Sequence, residues 1–101
     1  MSLYLDTSCL LKMLFPEPET RRVMQLVAVE EHVVISTLAR LETVVQVHAR
    51  VVGGLLTRPS ARALVVRLEK LLGQAPYELV RAPSDVVDAA ERQVRLIPRA
   101  A

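Results

Sequence analysis

A chain of 101 residues has room for one small domain, and its apolar half contains only three aromatic residues, so Leu, Val and Ala must build the core. Thirteen basic and 11 acidic residues leave a net charge of +2, which is compatible with a polyanionic partner without requiring one. A lone cysteine, Cys9, excludes an internal disulfide framework. The absence of a basic-then-apolar leader or a membrane-length apolar run points to a soluble protein of the reducing cytoplasm.

Leu3-Tyr4-Leu5 is a brief apolar run that reads as a short buried strand. Asp6 stops it, and either Asp6 or Thr7 can cap the helix that follows. That helix carries Cys9, Leu10, Leu11, Met13 and Leu14 and ends at Pro16. Cys9 lies in its apolar stretch and reads as a small core residue rather than a nucleophile. The corner Pro16-Glu17-Pro18-Glu19 leads into a second helix, with Val23, Leu26 and Val27 at helical spacing and Arg21 and Arg22 on the polar side.

His32-Val33-Val34-Ile35 predicts the second strand, and Ser36 caps a helix running from Thr37 to about Val52. Leu38, Leu41, Val45 and Val52 form its apolar side, which is expected to be buried. Glu42 lies close to that stripe, so it calls for a partner, either a metal ion or Arg40. His48 has no Cys or His at ligand spacing and reads as an ordinary surface residue. Gly53-Gly54 closes the helix. The next, from about Arg58 to Leu72, bears a stripe of Leu64, Val65, Leu68, Leu71 and Leu72 that serves either the core or a dimer contact. Tyr77 to Val80 predicts a third strand. Ser84 opens a last helix whose apolar face is Val87, Ala90, Val94 and Ile97, with Asp85 and Asp88 in its first turns.

The order β-α-α-β-α-α-β-α implies a parallel sheet flanked by helices. In such sheets ligands bind beyond the carboxyl ends of the strands. Asp6 sits there. Glu42, about 9 Å along its helix from Ser36, remains within reach of the same edge. Two converging carboxylates suffice for a hydrated Mg²⁺. Asp6 is otherwise a plain helix cap.

Tyr4-Leu5-Asp6-Thr7-Ser8, the run Leu14 to Glu19, and Val34 to Glu42 resemble the PIN-domain family, and within it the VapC-like toxins of toxin–antitoxin pairs. The resemblance implies a three-layer PIN-like α/β fold and a Mg²⁺- or Mn²⁺-dependent endoribonuclease acting on RNA. Asp6 would be its first metal ligand, Glu42 its second acid and Ser8 a supporting polar residue. It also implies a homodimer silenced by an antitoxin protein. The family pattern continues with a third acid, often a fourth, on a further helix and strand. No residue here matches them, and the chain reads as shortened at that end. Asp85, Asp88 and Glu91 do not fit by position and read as surface charges. The expectation is therefore an impaired nuclease. The alternative is a catalytically inactive PIN-like module that dimerises or binds an antitoxin.

Overall fold

The computed structural model describes residues 2–81 and, as backbone, residues 94–96. Four strands, β1 (Ser2–Leu5), β2 (Val33–Ser36), β3 (Tyr77–Val80) and β4 (Val94–Leu96), form one sheet in the order β3-β2-β1-β4. Every neighbouring pair is parallel. The helices are α1 (Thr7–Leu14), α2 (Thr20–Ala28), α3 (Thr37–Val52) and α4 (Arg58–Leu72). The α1–α2 pair links β1 to β2, and the α3–α4 pair links β2 to β3. The chain thus steps twice in the same direction across the sheet, and both helix pairs pack on the face that bears Leu3, Leu5, Val33 and Ile35.

Side-chain alternation in the strands follows from that placement. Leu3 and Leu5 of β1 and Val33 and Ile35 of β2 are fully buried beneath the helices, together with Cys9, Leu10, Val47 and Leu68. The intervening residues Tyr4, Val34 and Val80 form a smaller cluster on the opposite face. Period-two alternation delivers both sets from a few short strands. At the amino edge, His32 ties three strands together. Its Nδ1 meets the Ser2 hydroxyl at 2.6 Å and its Nε2 contacts the Glu78 carboxylate.

Turn chemistry defines the element ends. Thr20 pins the proline corner by donating to the carbonyls of Lys12 (2.6 Å) and Phe15 (3.2 Å), while its oxygen accepts from the Glu17 amide (2.9 Å). The Thr57 hydroxyl caps α4. Gly54 takes a φ of +74°, in the left-handed region that glycine enters without a Cβ clash. The Arg50 guanidinium lies 3.8 Å from the Phe15 ring centroid and joins the end of α3 to the end of α1.

Three expectations from sequence are corrected. Val94–Leu96, read as part of the last helix, instead form the strand β4, so the sheet has four strands among the described residues rather than three. The start of that helix, from Ser84, and with it the third layer, lie outside the described residues. The second correction concerns α3. Its buried face is Ala39, Thr43 and Val47, whereas Leu38, Leu41, Val45 and Val52 are exposed. Small residues on the inner face let α3 approach α1 closely. The buried Thr43 hydroxyl donates back to the Ala39 carbonyl at 2.7 Å, so it is not left unsatisfied. Third, Arg40 is not the partner of Glu42; it reaches Glu69 of α4 at 3.7 Å. The α4 stripe belongs to the core, with Leu68 and Leu72 buried and Leu64, Val65 and Leu71 packed against them.

The contrast between a buried valine of α3 and an exposed valine elsewhere is measurable. Val47→Ala should cost about 2 kcal/mol of unfolding free energy, through lost transfer energy and a residual cavity. Val29→Ala, at an exposed position after α2, should stay within about 0.5 kcal/mol of the parent in urea titrations.

Candidate active site

The site begins with strand register. Leu5 of β1 lies beside Ile35 of β2. The next residues, Asp6 and Ser36, therefore leave the sheet side by side at its carboxyl edge. Both are extended at that point and both cap the helix that follows. Asp6 Oδ1 accepts from the Cys9 amide at 3.0 Å and from the Ser8 hydroxyl at 2.9 Å. Ser36 Oγ accepts from the Ala39 amide at 2.9 Å. Two helix N-termini thus open onto one edge, and the positive ends of their dipoles favour negative charge there. The strand order also reverses at β1, because β2 and β3 lie on one side of it and β4 on the other. That is the switch point at which open α/β sheets hold ligands.

Cys9 lies directly behind Asp6. Burial first, and the neighbouring carboxylate second, push its thiol from an ordinary value of 9.0 up to about 11. The shift favours the protonated thiol at neutral pH and opposes a thiolate role for Cys9.

Lys12 was not singled out from sequence. It is buried, one turn beyond Cys9 on α1, and close enough that its charge favours the Cys9 thiolate, against the larger effects that oppose it. The signal available was a single cation inside the apolar run Leu10-Leu11-Lys12-Met13-Leu14, three residues after Cys9.

Of the expected site residues, Asp6 and Ser8 are brought into hydrogen-bond contact. Glu42 lies on the second turn of α3, which packs against α1, and its side chain is exposed rather than set near the buried stripe. It therefore has no burial penalty to offset. His48 is exposed on the same helix, as expected. Asp85, Asp88 and Glu91 lie outside the described residues. Among the described residues no group of three or more His, Cys, Asp or Glu side chains is arranged to hold a metal ion. The donors at the edge are hard oxygens, which suit Mg²⁺ or Mn²⁺. Among the described residues no helix is long and apolar enough to cross a membrane.

The family model of the PIN domain matches residues 3–96. The chain belongs to the PIN-domain family, a family of nuclease type. No curated protein matches the sequence.

Two outcomes test this geometry. Asp6→Ala should lower stability by about 1 kcal/mol, whereas Asp6→Asn, which keeps a capping oxygen, should lower it by a few tenths at most. The Cys9 shift gives a pH dependence. A thiol whose folded pKa is raised contributes stability below its unfolded value of 9.0, and this is lost as pH rises toward about 11. Cys9→Ala should flatten that alkaline decline relative to the parent in thermal melts run from neutral to alkaline pH.

Proposed function

We propose that this chain is a metal-dependent endoribonuclease of the VapC-like toxin kind, with Asp6 and Glu42 as its metal-holding acids. The observation that carries the reading is Asp6 itself. A carboxylate at the switch point of a PIN-family sheet is fixed by the Cys9 amide and the Ser8 hydroxyl beside two helix N-termini.

Each residue has a distinct task in this reading. Ser8 and the Cys9 amide hold Asp6 in one orientation, so no reorganisation is needed when a cation arrives. The N-termini of α1 and α3 favour the scissile phosphate at the same edge. Glu42 reaches out from α3 as the second acid. Asp6 and Glu42 would hold a Mg²⁺ or Mn²⁺ ion, which when bound would supply an activated water and offset charge on the phosphate. Asp6 and Glu42 alone, among the described residues, would hold such an ion loosely. Cys9 as a free thiol suits a reducing cytoplasm, and an antitoxin is the regulatory partner that a toxin of this kind would have.

A second reading, an inactive PIN-like binding module, draws on the exposed apolar face of α3. Cleavage assays separate the two. With RNA and Mg²⁺ or Mn²⁺, the parent should cut. Asp6→Asn should lose about 100-fold or more in rate, and Glu42→Gln about 10-fold, with folding preserved. A parent that never cuts under these conditions would leave the binding-module reading standing.

A further inference from the structure

The carboxyl end of α3 and the first turns of α4 enclose a cavity of about 550 Å³, within the size range of small-molecule sites. It lies away from the carboxyl edge of the sheet. Helix α3 starts at that edge, and Val52 is about 24 Å further along it. The cavity walls are aliphatic. Val51 and Val65 are half-buried against the core, while Val52 and Val66 are exposed. Among the described residues no acid, amide or hydroxyl side chain lines it, and no Phe or Tyr ring. With no such face to stack on, these walls suit a flexible hydrocarbon chain better than a nucleobase.

The polar groups around the cavity are all basic: Arg58 and Arg62 from α4, and His48 from α3. The arginines are placed against the energetics of their own helix. Arg58 is in the first turn, where the helix dipole favours an acid, and that turn carries none. Arg62 follows four residues later, a spacing at which like charges repel. Among the described residues neither guanidinium is paired with a carboxylate. Local rules broken together at the mouth of a cavity mark a functional site rather than a folding device. An anion held by both arginines turns each repulsion into an attraction.

We propose that this cavity binds a free fatty acid, with the carboxylate on Arg58 and Arg62 and the hydrocarbon chain along Val51, Val52, Val65 and Val66. His48 adds a third polar contact from α3. The occupant is a single chain in solution rather than a membrane surface, because the groove is bounded by two helices and closed on its inner side by the buried Ala61. The proposal does not depend on the nuclease reading.

An amide-resolved NMR titration of the full chain tests it, with decanoate below its micelle concentration as the probe. Saturable shifts should map to residues 48–52 and 58–66. Octanoate should bind about tenfold more weakly, since two fewer methylenes are buried. Arg58→Gln combined with Arg62→Gln should also weaken decanoate about tenfold. The thermal midpoint of this double variant should equal or exceed the parent's, because a repulsion is removed. Shifts centred elsewhere, no shifts, or equal binding of octanoate and decanoate would each overturn the proposal. A lowered midpoint would overturn it too, by giving the arginines a folding role. Inorganic phosphate or decanol binding as tightly as decanoate would show a site that reads charge alone or chain alone. An RNA oligonucleotide that displaces decanoate would assign the rim to nucleic acid, and co-sedimentation with phosphatidylglycerol vesicles would assign it to a membrane; either contradicts the proposal.

Discussion

The structure depends on β1 and β2 ending at the same level. Once Leu5 is paired with Ile35, the chain leaves the sheet at Asp6 and Ser36 together, and each residue must satisfy the open amides of a new helix. A side-chain oxygen is required at both positions. At Ser36 that requirement is met by a neutral hydroxyl. At Asp6 it is met by a carboxylate, which brings a full negative charge to the strand-order reversal. Structural need and chemical opportunity therefore coincide on one residue. The neighbours reinforce it: Ser8 adds a second donor to the same oxygen, and burial keeps the Cys9 thiol protonated behind it.

Helix α3 carries the other half of the problem. Its inner face uses alanine, threonine and valine to lie close to α1, and spends no large side chain there. Its large apolar residues point outward, with Glu42 between the two faces. A partner covering the outer face would therefore lie beside Glu42.

The parallel α/β architecture, the capping residues Ser36 and Asp6, and the helix stops at Pro16 and Gly53 were legible in the sequence because local chemistry dictates them. The buried face of α3 was not. Ranking residues by size placed Leu38, Leu41 and Val45 inward, but a close helix–helix approach selects Ala39 and Thr43 instead. Strand β4 was missed because Val94 and Ile97 also fit a helical stripe, and a three-residue strand carries no periodicity of its own. The charges divided similarly. Asp6 was visible at the end of an apolar run. Lys12 was not, since its burial depends on how α1 seats against its neighbours.

The most direct test of the central claim is to locate the cation. Paramagnetic broadening of backbone amide resonances on titration with Mn²⁺ reports where the ion sits without relying on turnover. Broadening confined to residues around Asp6 to Leu10 and Ser36 to Glu42, and removed by excess Mg²⁺, is the expected result. Broadening centred elsewhere, or none at millimolar Mn²⁺, would contradict the assignment of the carboxyl edge as the metal-dependent site.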